Sequence, residues 1–168
     1  MWPVPSPPSA FVERRRRLGE RLARPALLVS GFARPRNFAA NPYPFRAESH
    51  FLYLVGQPLE GAAVLVDGGR AVLYAPEPDP EEELWSGPMP TFAELAARAG
   101  LPVQSIESLS VPEGTLTLPA QDWDTALWQS ELVGRDVDAG SGGGLGEASG
   151  ELADALIDIR LVNDDAAH

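Results

Sequence analysis

The sequence predicts an α/β fold whose sheet is partly antiparallel, and three patterns support this prediction. Short apolar runs bounded by Gly or Pro are typical of buried strands, and amphipathic stretches that end at glycine are typical of helices. In the second half of the chain the two kinds of segment alternate. The chain has 168 residues, of which 44% are hydrophobic and 22% charged, as in one ordinary globular domain.

Helical periodicity predicts the first helix from about Phe11 to Arg24, ended by Pro25. Its apolar positions fall near one stripe, Ser9 is expected to cap it, and a run of four arginines is expected to cover much of the remaining surface. The stripe consists of Phe11, Leu18 and Leu22, and the arginines are Arg14, Arg15, Arg16 and Arg17.

Three further helices are expected. One is capped by Thr91 and ends at Gly100, and another starts near Asp122 and ends at Gly134. The last runs from about residue 146 to 160. The predicted buried faces of these helices are, in order, Phe92, Leu95, Ala96 and Ala99; Trp123, Leu127, Trp128 and Leu132; and Leu152, Leu156 and Ile159.

Strands are predicted from short apolar runs. The runs FLYLVG, AAVLVD and RAVLYA are expected to pair as an antiparallel meander, with Asp-Gly-Gly as the hairpin turn between the last two. All the predicted strands lie within 26–31, 51–56, 62–67, 70–75, 102–109, 114–119 and 135–139.

The remaining segments are expected to be irregular. Residues 1–8 contain four prolines and form an arm, and 32–49 is a long ordered loop. The acidic stretch 76–83 is a solvated loop, and the glycine-rich stretch 139–150 a mobile one.

Charge and composition exclude several classes of protein. The net charge of −11 argues against a nucleic-acid binder, and no apolar run is long enough to span a membrane. The start of the chain lacks a secretory signal, so we expect a cytoplasmic protein. Residues 1–46 carry nine Arg and two Glu (+7), whereas 47–168 carry four Arg and twenty-two acids (−18). The basic part either docks on its own domain or steers one subunit onto another's acidic surface.

No catalytic residue, metal site or cofactor is expected in this chain. The glycine tract lacks the spacing of a phosphate loop, and the sequence contains no lysine and no cysteine. The histidines are His50 and His168, which are too few for a typical metal centre or serine triad.

The most distinctive segment is RNFAANPYPFRAESHFLYLVGQPLEGAAVLV at 36–66, which places Tyr-Pro-Phe-Arg before an aromatic run. It resembles the signature of the aminopeptidase P and prolidase amino-terminal domain, within the creatinase/prolidase family. Further similarities lie in FVERRRRLGERL at 11–22, in the E-x-x-W-x-G element at 82–87 and in the interdomain segment LIDIRLVNDD at 156–165.

The resemblance implies a mixed sheet flanked by helices, with a ribonuclease H-like motif. It implies a proline-rich arm at 1–8, the domain at 9–160 and the start of an interdomain linker at 161–168. The catalytic pita-bread domain is then absent, and the chain is an excised domain, a truncated frame or a stand-alone relative. In full-length relatives that domain holds two divalent metals, usually manganese.

The same resemblance points to candidate residues at an interface or substrate entrance: Trp85, Arg46, Tyr43 and His50. Trp85 either stacks on a partner or covers its own core. For Tyr43 and Arg46 a structural role in fixing the loop is favoured. The chain departs from the family at His50 and Asn163, where an Asp and a Lys are usual, and at Ala39 or Ala40, where an acidic residue is frequent.

The function expected from these observations is a non-catalytic, peptidase-related domain that self-associates or docks on a peptidase catalytic domain. One alternative is a part of a split or full-length manganese-dependent Xaa-Pro aminopeptidase or dipeptidase. Another is a stand-alone module that binds proteins or peptides, including proline-containing ones.

Overall fold

The computed structural model describes residues 6–137 and 147–161. Within them, helices and strands follow one another as α1 Pro8–Arg21, β1 Ala26–Val29, α2 Ser49–Val55, β2 Ala63–Asp67, β3 Arg70–Ala75, α3 Pro80–Ser86, α4 Phe92–Ala99, β4 Val103–Ser105, β5 Leu116–Thr117, α5 Trp123–Val133 and α6 Glu147–Leu161. A short 3₁₀ turn, Ile106–Ser108, follows β4.

The strands form a mixed sheet in the order β4-β3-β2-β1-β5. β2 is antiparallel to both of its neighbours, whereas β5 is parallel to β1 and β4 is parallel to β3. Four strands therefore point the same way, and β1, β3, β4 and β5 all finish at one end, the carboxyl end of the sheet. The predicted α/β class with a partly antiparallel sheet is confirmed.

Both faces of the sheet are covered, which explains why β1 is apolar at every position. Ala26 and Leu28 face the larger core, which α1, α2, α4 and α6 close, while Leu27 and Val29 face a smaller one. The smaller core is closed by α5 and by the segment after β4. The predicted inner face of α6 is confirmed, since Leu152, Leu156 and Ile159 are all fully buried.

The prediction of a strand at 51–56 is wrong, because these residues form α2. Glu48 caps this helix by accepting hydrogen bonds from the amides of His50 and Phe51, and Gly56 ends it with a left-handed φ of 71°. The buried side chains recur at helical spacing, at Phe51, Leu54 and Val55. The three-stranded meander is therefore made by β1, β2 and β3, and the predicted hairpin is its second half.

The acidic segment 76–83 is not a loop throughout, because α3 starts at Pro80. Asp79 caps α3, and Pro80 stands in its first turn. Three glutamates follow in the same turn, where their negative charges interact favourably with the positive end of the helix dipole. The prediction for α1 also needs a correction. Ser9 is not its cap: the helix starts at Pro8 with Pro7 at the N-cap position and no side-chain cap.

The predicted inner face of α5 is wrong in part. Trp123 is 69% exposed and Leu127 is exposed as well, whereas the buried positions are Thr125, Ala126 and Gln129. Trp128 and Leu132 do pack against the smaller core. Because Gln129 Nε2 donates to the Leu118 carbonyl at 2.8 Å, α5 is fixed to the strand end by a polar side chain that hydrophobic periodicity does not reveal.

The other boundaries follow the sequence more closely. Thr91 and Glu94 form a reciprocal capping box on α4, Asp122 caps α5, and Gly100 and Gly134 end these helices in left-handed conformations. The predicted strands at 102–109 and 114–119 are short, as β4 and β5. Residues 135–137 are not a strand. The remaining part of that segment, the arm at 1–5, the glycine tract to 146 and the linker from 162, with His168, lie outside the described residues.

None of the helices described between residues 6 and 161 combines the length and the apolar character needed to cross a membrane.

Candidate functional site

The structure brings two of the four candidate residues together. Tyr43 and Arg46 line the same groove, which opens beside the carboxyl end of the sheet. His50 lies on α2 and Trp85 on α3, and neither lines this groove.

The groove has a volume of about 560 Å³. Its walls come from the loop after β1 and from the segment after β5, so residues distant in sequence meet there. The lining residues are Phe32, Ala33, Arg34, Tyr43, Pro44, Arg46, Ala47, Ser49 and Gln121. Two guanidinium groups and two aromatic rings thus surround an open space, which is a suitable environment for a carboxylate or an aromatic side chain.

The loop that carries these residues is held by backbone hydrogen bonds. The Tyr43 amide donates to the Arg34 carbonyl at 2.7 Å, and Arg36 and Asn41 are joined in the same way at 2.9 Å. At the base of the loop, the Glu48 amide donates to the Ser30 carbonyl at 3.0 Å. The long loop expected at 32–49 is therefore ordered, as predicted.

The arginines of this region differ in how they are held. Arg34 donates to the Gln121 carbonyl at 2.8 Å and lies 3.4 Å from an Asp122 carboxylate oxygen. The Arg36 guanidinium lies 4.7 Å from the centre of the Tyr43 ring. Arg46 is exposed, and no hydrogen bond or ion pair joins it to any residue within 6–137 or 147–161. It stays available for an external anion.

His50 belongs to a contact between α2 and α6. Arg160 Nη1 lies 3.2 Å from His50 Nδ1, which accepts when it is unprotonated. Burial is the main cause that lowers the pKa of His50 below its usual value. The charge of Arg160 lowers it further, while Glu48 opposes the shift. The unprotonated ring is therefore the form that suits the folded chain.

Trp85 is 91% exposed and the adjacent Leu84 is 83% exposed. The interpretation in which Trp85 covers its own core does not apply to the described part of the chain. The helix that carries it is polar otherwise, with Glu81, Glu82 and Glu83 in its first turn. An exposed indole beside carboxylates is a surface suited to contact with a basic or apolar partner.

Sequence reasoning found Arg46 but missed Arg34, the other arginine that lines the groove. Arg34 and Arg36 flank Pro35 in the loop, and the sequence Arg-Pro-Arg next to Tyr-Pro-Phe-Arg was a usable signal. Gln121 carried no signal, because its role depends on a backbone carbonyl that only the fold brings to Arg34.

The described residues contain no cluster of candidate metal ligands. Nowhere in 6–137 or 147–161 do three His, Asp or Glu side chains converge on one point as metal ligands would.

Comparison with known proteins identifies what the chain is similar to. The family model described as "Aminopeptidase P, N-terminal domain" matches residues 11–112. The curated "Probable Xaa-Pro aminopeptidase PEPP" of Fusarium vanettenii is 44% identical over 46 residues, a match that covers 26% of this chain and 10% of that protein.

Among solved structures, the aminopeptidase PepP of Pseudomonas aeruginosa matches with a TM-score of 0.64 and 22% identity, over 76% of this chain and 32% of that one. Proline aminopeptidase P II of Yersinia pestis matches with a TM-score of 0.57 and 20% identity, over 74% of this chain and 31% of that one. At 20–22% identity, these two matches show that the chain shares their fold. The chain spans about a third of the length of these solved relatives.

Proposed function

Because this chain belongs to the aminopeptidase P N-terminal domain family, whose model matches residues 11–112, we propose that it is the non-catalytic domain of an Xaa-Pro peptidase-related protein. In this role it mediates assembly, either with further copies or with a peptidase catalytic domain, and it shapes a substrate entrance. The family match carries the proposal, since the matched family is defined by this domain.

The surface of α3 supports the role in assembly. Large apolar side chains at 91% and 83% exposure are unusual on a surface that stays in water, and an exposed Trp is a frequent anchor at protein interfaces. Trp85 and Leu84 are therefore the proposed anchor.

Light scattering of the purified chain over a range of concentrations tests this role. The wild-type chain is expected to form a dimer or larger assembly, and Trp85→Ala is expected to weaken association by roughly tenfold or more, as for an interface anchor. Trp123→Ala is the matched control, because Trp123 is also exposed but lies on α5. Circular dichroism verifies that both variants fold. A strict monomer at high concentration would contradict the proposed self-association.

A second candidate is that the chain forms one part of a manganese-dependent Xaa-Pro aminopeptidase or dipeptidase. It is favoured by the length relation, since the chain corresponds to about a third of each solved relative. Its test is cleavage of Xaa-Pro peptides with manganese, by the pure chain and by the chain mixed with an extract of its source cell. Cleavage only in the mixture supports this candidate. Cleavage by the pure chain would overturn the non-catalytic assignment.

A further inference from the structure

The groove is lined by arginine and aromatic side chains, whereas α3 carries carboxylates and one indole. Both follow strands that finish at the carboxyl end of the sheet. We propose that the groove lined by Arg34, Tyr43 and Arg46 receives α3 of a second copy of this chain, with Glu81 and Glu82 facing Arg46 and Trp85 lying between the aromatic walls. This inference rests on the self-association proposed above and names the two surfaces that make it.

The acceptor side is the groove. Arg46 has no partner among the described residues, and Arg34 is held in place by the Gln121 carbonyl at 2.8 Å. Two carboxylates lie close by, but both are engaged: Asp122 is 3.4 Å from Arg34 and Glu60 accepts from the Ala33 amide at 2.7 Å. Of the two arginines that line the groove, Arg46 is therefore the one without a partner among the described residues, and the aromatic walls are Phe32 and Tyr43.

The donor side is one face of α3. Residues three and four apart lie on the same side of a helix, so Glu81 and Glu82 share a face with Trp85. All three side chains are exposed. By contrast, Glu83 already accepts from the Met89 amide at 3.2 Å. This face offers two carboxylates and one indole, which are the groups that a groove of arginine and aromatic side chains would bind.

The segments that form the two surfaces leave the sheet close to each other. Phe32 follows β1, and the segment leading to α3 follows β3, and both strands finish at the carboxyl end of the sheet. A Cβ at Gly61 would lie 3.1 Å from Phe32 and 3.6 Å from Pro76, so these residues flank the same glycine. When donor and acceptor lie at one end of a molecule, a two-fold axis can satisfy both at once, and the contact closes as a dimer.

The local charges agree with this arrangement. The loop 32–48, which contains the groove arginines, carries three Arg and one Glu (+2), whereas 76–86, which includes α3, carries five acidic residues and no basic one (−5). Two copies that approach with their like ends together would repel unless the basic groove meets an acidic element. The reciprocal docking of α3 supplies this match, and it predicts association that weakens with salt.

A charge-swap experiment on the full 168-residue chain tests the proposal by sedimentation. Arg46→Glu and Glu82→Arg each place like charges together at both contacts of the dimer, so each alone is expected to weaken association by roughly tenfold or more. An equimolar mixture of the two variants is expected to associate like the wild type, because both contacts of the mixed dimer are then complementary. The double variant Arg46→Glu/Glu82→Arg is expected to recover for the same reason.

Controls come from the opposite end of the sheet, where Arg70 starts β3 and Glu113 precedes β5, both exposed. Arg70→Glu and Glu113→Arg are expected to leave association unchanged at matched salt. The inference is overturned if the wild type associates and the swap variants behave like these controls, or if the mixture fails to recover. A monomeric wild type would instead remove the proposed self-association itself, together with this inference.

Discussion

Arg15 donates from Nη1 to the carbonyl oxygen of Leu54 at 2.7 Å, which ties α1 to the last turn of α2. Its other terminal nitrogen, Nη2, donates to the carbonyls of Ala99 and Gly100, each at 2.8 Å, at the end of α4. One cation thus satisfies three carbonyls at two helix ends, where the helix dipoles favour positive charge. Arg15 is only 4% exposed, and burial lowers the pKa of its guanidinium to about 10. Arg15 is still charged at neutral pH.

Replacing Arg15 by Met is expected to lower the free energy of unfolding by about 3 kcal/mol, because buried carbonyls lose charge-assisted hydrogen bonds. Arg16→Met is the matched control on the next position of the same helix. Arg16 is exposed and pairs with Glu13 and Glu20 in contact with solvent, so its replacement should lower the free energy of unfolding far less than that of Arg15. Urea unfolding followed by tryptophan fluorescence measures both values. Equal losses for the two variants would contradict the bridging role of Arg15.

Gly19 is needed because α1 touches the β2–β3 hairpin at this position. A Cβ on Gly19 would lie 1.9 Å from the carbonyl oxygen of Gly68, which is backbone and cannot rotate away. In an isolated helix Gly→Ala is stabilising, by about 1 kcal/mol. Here Gly19→Ala is expected to destabilise by about 1–3 kcal/mol, through overpacking.

Gly69→Ala is the control for this change, since nothing lies within 4 Å of a Cβ there and its φ is not left-handed. Thermal unfolding of the two variants gives the comparison. A stabilised Gly19→Ala chain would show that α1 does not lie against the hairpin as described.

His50 is expected to make stability depend on pH below neutrality. Burial, the largest cause, lowers its pKa in the folded state, so the unfolded chain binds a proton at higher pH than the folded chain does. The stabilisation from unprotonated His50 is therefore fully present above about pH 6.5, the usual value for histidine, and is lost as the pH falls through the folded pKa. Arg160 and Glu48 are the charged groups that face the ring.

Unfolding free energies measured from pH 7.5 to pH 5 test this dependence. His50→Gln is expected to flatten the curve in that window, while His168→Gln serves as the control for the other histidine. If both variants show the wild-type slope, His50 is not the titrating group.

The limits of sequence reasoning are clear at α2. Phe, Tyr and Val in FLYLVG have strand propensity and favoured the prediction of a strand. The helical spacing of its buried positions was present, but the segment is short. The helix is favoured by its cap, Glu48, and by two contacts distant in sequence. Arg15 donates to the Leu54 carbonyl, and the Phe11 ring lies where a Cβ on Gly56 would be. Where the signal is local, prediction succeeded, as with the helix cap at Thr91 and the hairpin turn after Asp67.

The features of the candidate site were likewise predictable where they belong to a local motif and not where they depend on contacts distant in sequence. Tyr43 and Arg46 were found because they belong to one short motif, and Trp85 because it belongs to another. The groove itself was not predictable, since the residues that bond across it, Arg34 and Gln121, are 87 positions apart. The exposure of Trp123 was not predictable either. Hydrophobic periodicity placed Trp123 on the inner face of α5, whereas it lies on the outer face and the inner face is partly polar.

The helix α6 belongs to the same folding unit as the sheet, although the family model ends at residue 112. Leu156 is fully buried in the larger core, while the next residue, Ile157, is 53% exposed. Leu156→Ala should therefore cost about 2–5 kcal/mol of unfolding free energy, through lost burial and the cavity that remains. Ile157→Ala should change stability by less than about 1 kcal/mol, since surface substitutions rarely cost more. Both are measured by urea unfolding with a single cooperative transition expected in each case. Because the two substitutions are adjacent and similar in size, a helix that only lay beside the domain would give two small losses, and that result would place the boundary of the domain before α6.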